Sequence, residues 1–246
     1  MEKEDKVRKE FTGKLARLHR QIAELEKKEA EYRQTERTLR ENIERIQKSL
    51  WGAINILASI VEIRDPYTAG HQKRVAKLAC AIAKKMHLPE EKINALHLAA
   101  TIHDIGKVEV PLEILNKPGR LNKAQFRMIE SHSQTGYKLA TSINFPSPVA
   151  DIILQHHERL DGSGYPQELK DDKILLEAKI LACADVVEAM SSHRPYRAAH
   201  SMDECLEEIW QKRNVLYDCD VADVCINLFT KDNFTFSTST SMANPY

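Results

Sequence analysis

The sequence has no apolar run long enough to cross a bilayer, so no membrane span is expected. Its first residues, MEKEDKVRKE, lack the apolar stretch of a secretory signal peptide. It has no surplus charge of either sign. Lys and Arg number 36 and Asp and Glu 36, without the basic excess that marks nucleic-acid binders. No Cys-x-x-Cys pair occurs. The five cysteines (Cys80, Cys183, Cys205, Cys219 and Cys225) are odd in number and scattered, which reads as reduced thiols in a cytoplasmic protein. Gly and Pro are scarce, at 8 and 9 of 246 residues, and no strand-like alternation stands out. With 29% charged residues, the remaining class is a soluble, all-α chain.

What is there falls into two compositions. Residues 1–60 contain no proline. Phe11, Leu15, Leu18, Ile22, Leu25, Tyr32, Leu39, Ile43, Ile46, Leu50, Leu57 and Ile60 fall on alternating steps of three and four. Glu29 and Glu36 interrupt this stripe, and Ala53 fills it weakly. A strict seven-residue repeat predicts a left-handed coiled coil, with a helix folded back on its own domain as the alternative. Residues 61–230 are expected to form a helical bundle, and 231–246 a polar, flexible tail. Asp65-Pro66 reads as a helix start, followed by a face of His71, Val75, Leu78, Ala79 and Ile82. Pro89 opens the next helix. Asn122 and Gln125 resemble a capping box ahead of a helix whose inward face carries Phe126, Ile129, His132 and Leu139. Further helices are predicted through Val149–His157, around Ile180–Asp185, and over about 202–215 and 221–229.

Histidine carries the chemistry. His71, His103, His132, His156 and His157 lie on or beside the apolar stripes, as do Asp104 and Asp185. One buried histidine is ordinarily a hydrogen-bonded core residue. Five with two carboxylates are hard to bury unless something compensates them. Divalent cations would, since neutral imidazole and carboxylate are their usual ligands. Seven side chains exceed one tetrahedral zinc site and suit two metals bridged by a carboxylate and a water. The donor mixture favours iron or manganese, with cobalt, nickel or zinc as alternatives. Lys107, Arg194 and Arg197 supply positive charge for a phosphate or a guanine edge, or else form a solvated basic loop. The Gly162–Pro166 loop follows His156-His157 closely and offers Tyr165 as a stacking face.

The blocks His103-Asp104-Ile105-Gly106-Lys107 and His156-His157-Glu158-Arg159-Leu160-Asp161-Gly162-Ser163-Gly164-Tyr165-Pro166 resemble the HD-GYP branch of the HD phosphohydrolase superfamily. Arg64–His71 and Arg194-Pro195-Tyr196-Arg197 match further blocks, so the likeness runs from about Val61 to Phe229. It implies an all-α HD-domain fold. It also implies hydrolysis of the bacterial second messenger cyclic di-GMP to linear pGpG, and on to GMP, by a hydroxide bridging two metals. By that resemblance His71, His103, Asp104 and Asp185 hold one metal. Asp104, His132, His156 and His157 hold the other. Asp104 and Lys107 are catalytic, and Lys107, Tyr165, Arg194 and Arg197 contact the dinucleotide. Tyr67 stands where some relatives carry a Glu that helps bind a third metal, which points to two. Glu168 and Asp171 replace glycines common after the Tyr-Pro pair, and Glu188 replaces the usual acid after Asp185.

The coil would join two protomers as a parallel homodimer and relay a signal from a sensor or receiver partner. Two other functions stay open: a domain that binds a cyclic nucleotide or signalling partner without turnover, and an enzyme for a nucleotide polyphosphate.

Overall fold

The computed structural model describes residues 2–65, 70–117, 119–143, 145–193 and 199–236. Among them no strand occurs; a lone bridge joins Arg213 and Tyr217. The fold is all-α and begins with one long helix, α1 (Glu2–Arg64). Nothing in α1 breaks the backbone ladder, and exposed pairs four residues apart line it, such as Arg33–Glu29 at 2.6 Å and Lys28–Glu24 at 3.0 Å. Each such pair adds only tenths of a kcal/mol. The chain divides into two compact units at Gly52/Ala53.

In the first unit, α1 leaves its heptad stripe in water: Phe11 is 71% exposed and Leu39 59%. In the second, the last turns of α1 bury Ile54, Ala58 and Val61. Among the described residues eight helices follow: α2 (His71–Lys85), α3 (Glu90–Ile102), α4 (Leu112–Leu115), α5 (Lys123–Ser142), α6 (Val149–Gln155), α7 (Leu176–Ser191), α8 (Met202–Gln211) and α9 (Cys219–Thr230). Short 3₁₀ turns occupy Ile105–Glu109 and Asp171–Lys173. The central element is α7, apolar nearly all round, with Ala178, Ile180, Leu181, Cys183, Ala184 and Val187 buried. It packs against α2, α3, α6, α8 and α9. Leu78, Ile82, Leu96, Ile152, Ile153 and Ile209 complete the core, each burial stabilising by about 1.5–3 kcal/mol.

The Asn122/Gln125 capping box forms as expected, with Gln125 N donating to Asn122 Oδ1 at 2.9 Å and Asn122 N to Gln125 Oε1 at 3.2 Å. Three expectations need correction. Asp65 does not cap α2: Gly70, with φ of 70°, occupies the N-cap position, and Asp65 instead closes α1 by donating to Val61 O. Phe126 and Leu139 are not inward; they are 48% and 37% exposed, because His132, Ser133, Gly136 and Ala140 take the buried side of α5. The helix leading to the His156-His157 pair stops at Gln155, so both histidines lie just past its end.

Candidate metal centre

Five separate segments deliver the site. His71 is the first residue of α2, and His103-Asp104 follow the end of α3. His132 comes from the middle of α5, His156-His157 from the end of α6, and Asp185 from α7. Two close approaches of backbone allow them to meet. A Cβ on Gly106 would lie 1.9 Å from the His132 carbonyl oxygen, so only glycine lets the Asp104 turn sit against α5. A Cβ on Gly164 would lie 2.4 Å from His157 O, so the Tyr165 loop folds flat on the histidine pair for the same reason.

All seven candidate ligands converge. His71, His103 and Asp185 form one group of donor atoms within 4.8 Å of one another. His132, His156 and His157 form a second, and His103, Asp104 and His156 link the two. Asp104 faces both sides: Oδ2 lies 3.6 Å from His103 Nε2 and Oδ1 3.6 Å from His132 Nε2. A carboxylate so placed could serve a cation on either side.

The hydrogen bonds test whether a cation fits. His103, His132 and His156 each turn Nδ1 to a backbone carbonyl three residues earlier, at 2.8, 2.6 and 2.6 Å. Such bonds fix Nδ1–H as the donor and leave an Nε2 lone pair aimed into the cluster. His132 Nε2 and His156 Nε2 then face each other at 3.3 Å. Two lone pairs repel at that distance, and a divalent ion between or beside them removes the conflict. The donor set fits divalent cations.

Electrostatics keeps His156, His157 and Asp104 in ligating form. Burial, then the neighbouring His103 and His132, pushes His156 down to about 3. Burial and His156 likewise push His157 well below the ordinary histidine range. Burial alone would raise the Asp104 carboxyl, but Lys107, His103 and His132 outweigh it and hold it well below the carboxylate range. His71 differs. Burial opposes its charge, yet Asp185 and Glu188 outweigh burial and raise it to about 9. A cation held by Asp185 and His71 would compete with that proton.

Lys107 Nζ reaches Asp104 Oδ2 at 2.7 Å and Asp65 Oδ2 at 3.5 Å. Burial disfavours its charge, but Asp104 and Asp65 reverse that and raise its pKa. Tyr165 lies on His157 with ring centroids 4.7 Å apart. Arg194 and Arg197 lie outside the described residues, as does Tyr67.

Three supporting residues were not singled out from the sequence for the work they do. Glu188, 1% exposed, accepts from His71 Nδ1, from Arg74 Nε at 2.5 Å and from Ser192 Oγ at 2.7 Å. Glu158, 2% exposed, accepts from Gln167 N at 2.7 Å and Leu169 N at 3.0 Å, pinning the Tyr165 loop. Asp65 holds Lys107. Only a polar residue at a helix-face position signals Glu188, and that signal is weak; Glu158 lies past the end of α6 and carries no such signal.

The HD domain family matches residues 55–221, which enclose every one of these groups. The chain belongs to that family. Its HD-GYP blocks lie inside the matched region. It is 38% identical over 172 residues, 69% of its length, to the cyclic di-GMP phosphodiesterase response regulator RpfG of Xanthomonas campestris. It is 39% identical over 151 residues, 61% of its length, to 3'3'-cGAMP-specific phosphodiesterase 1 of Vibrio cholerae. The matches span 46% and 35% of those proteins. A solved HDG"Y"P protein from Bdellovibrio bacteriovorus shares the fold, with a TM-score of 0.55 at 20% identity, over 65% of this chain and 51% of that one.

Proposed function

We propose that this member of the HD domain family is a metal-dependent phosphodiesterase that opens cyclic di-GMP to linear pGpG and carries part of it on to GMP. What supports this most is Asp104, which sets one carboxylate oxygen toward each of two imidazole groups. Related chains carry names that specify cyclic di-GMP or 3'3'-cGAMP, so a cyclic dinucleotide is the substrate class. His71, His103, Asp104 and Asp185 would hold one cation and Asp104, His132, His156 and His157 the other, iron or manganese being the best match to this donor set. Two bound cations supply a water of near-neutral pKa and electrostatic stabilisation of the phosphoryl group. The chain's own groups do the rest. Asp104 positions both sides of the centre. Lys107, held protonated by Asp104 and Asp65, neutralises charge that builds on the phosphoryl oxygens. Tyr165, Arg194 and Arg197 orient the dinucleotide.

The test is turnover of cyclic di-GMP by anaerobically purified protein, with metal analysis of the same sample. His103→Ala and Asp104→Ala should abolish turnover and lower metal content while the helical circular dichroism persists. Full activity in both variants would remove the reading. Stoichiometric binding of cyclic di-GMP without hydrolysis, at full metal occupancy, would favour the non-catalytic alternative.

We further propose that residues 1–60 pair in parallel with the same helix of a second copy, that 61–230 form the catalytic domain and that 231–246 are a tail. The protein would then be a cytoplasmic homodimer receiving its signal from a sensor or receiver partner. No helix among the described residues is long and apolar enough to cross a membrane. Ile22, Ile43 and Ile46 stand 47–65% exposed in the heptad stripe, and a polar helix of this length gains stability mainly by burying such a seam. Light scattering should report a dimer, and Ile43→Lys with Ile46→Lys a monomer. A monomeric parent protein at micromolar concentration would refute the pairing.

A further inference from the structure

Phe126 is a large aromatic side chain that the sequence places in the core and the structure leaves 48% exposed. A single exposed apolar residue needs no explanation. This one is not isolated. Its ring lies 6.4 Å from that of Tyr165, nearly perpendicular at 81°. Tyr165 in turn lies 4.7 Å from His157, tilted 32°, and 6.4 Å from His132. An aromatic run therefore leads from solvent to the candidate metal ligands, with Phe126 as its outermost member.

The backbone that carries the ring is also held. Phe126 N donates to Asn122 O at 2.9 Å within the capped first turn of α5. The neighbouring Gln125 closes the capping box and accepts from Lys117 Nζ at 2.7 Å. A capped helix start with a pinned neighbour fixes the backbone from which the ring projects. Phe126 and His132 each lie 6.4 Å from the Tyr165 ring, so one dinucleotide could reach both.

We propose that Phe126 is a stacking platform for one purine base of the bound dinucleotide, an outer subsite beside the wall that Tyr165 provides. This rests on the cyclic-dinucleotide reading above. The phosphate at the metal centre and a base on Phe126 would be held by one rigid helix, α5. The perpendicular Tyr165 ring would border the base at its edge, a favourable arrangement for aromatic pairs. Any purine satisfies such a surface, because stacking reads the π face and not the hydrogen-bonding edge.

The test has two readouts. The first is KM and kcat for cyclic di-GMP on manganese-loaded protein. The second is binding of a cyclic dinucleotide carrying fluorescent 2-aminopurine, in excess chelator, where no turnover occurs. Phe126→Ala should raise KM about tenfold with a smaller change in kcat, and weaken chelator-state binding to match. Phe126→Trp should restore both. Phe126→Leu, which keeps apolar bulk without a π face, should not. Circular dichroism and metal content like those of the parent protein exclude misfolding.

A KM for Phe126→Ala equal to that of the parent protein, or a Leu variant as good as the Trp variant, overturns the subsite and leaves the phosphodiesterase reading standing. Weaker analogue binding in Phe126→Ala, from a parent protein that hydrolyses no cyclic dinucleotide, keeps the subsite and removes the catalytic reading. A parent protein that neither binds nor hydrolyses removes both.

Discussion

Replacing Glu188 by Gln tests the site through a residue that need not touch a metal. The Glu188 carboxylate is 1% exposed and takes three hydrogen bonds, from His71, Arg74 and Ser192. With Nδ1 held there, His71 Nε2 points at Asp185 Oδ1, 3.2 Å away. An amide keeps one oxygen but sets an NH₂ group against a donor, either His71 Nδ1–H or Arg74 Nε–H. The imidazole then loses its orientation and part of its basicity. Changes of this kind behind a metal-bound histidine lower metal affinity about 10- to 100-fold, or roughly 1.4–2.7 kcal/mol. Breaking a fully buried ion pair costs about 3–5 kcal/mol, and the loss here should lie below that range because the Arg74 side chain is 30% exposed and can hydrate. The assay is competition with a chromophoric chelator, titrating manganese or zinc, together with urea unfolding of the metal-free protein. One site should weaken tenfold or more, and the site served by His132, His156 and His157 should change much less. Two sites of unchanged affinity would refute the reasoning.

Gly106→Ala should destabilise the fold by about 3 kcal/mol, the upper end for overpacking, because its Cβ meets backbone that cannot rotate away; a melting temperature like that of the parent protein would contradict this. Glu158→Gln should cost about 1 kcal/mol and speed hydrogen exchange over residues 162–170, since one of the two N–H donors that the buried carboxylate holds loses its acceptor. For chelated protein the pH dependence follows from His71, whose pKa rises on folding from 6.5 to about 9. Its contribution to stability is complete below about pH 6.5 and is lost as pH rises through 9. Metal-free protein should therefore melt lower at pH 9 than at pH 6.5. Metal uptake near pH 7 should release protons, seen as a calorimetric heat that varies with buffer; a buffer-independent heat would contradict the shift.

Local pattern was legible where it repeats. The three-and-four spacing from Phe11 to Ile60 marked α1, and Asn122 with Gln125 marked the start of α5. Those signals lie within one helical turn, where backbone geometry alone decides which residues are neighbours. The seven ligand candidates were legible for another reason: ionisable residues on apolar faces are costly unless they serve a centre, so their placement is informative even without a partner in view. Asp65 went the other way. Its local pattern fitted a helix cap, but the carboxylate is used by Lys107, 42 positions on.

By itself, then, the sequence determined the helices, most of their buried faces and the ionisable side chains that lie on or beside them. Only the tertiary structure decided that Glu188 stands behind His71 from 117 residues away, that Asp104 turns one oxygen to each imidazole group, and that Phe126 stays in water beside Tyr165. Periodicity reports which face of a helix is covered. It carries no information about which other helix does the covering, because that follows from packing the whole bundle at once.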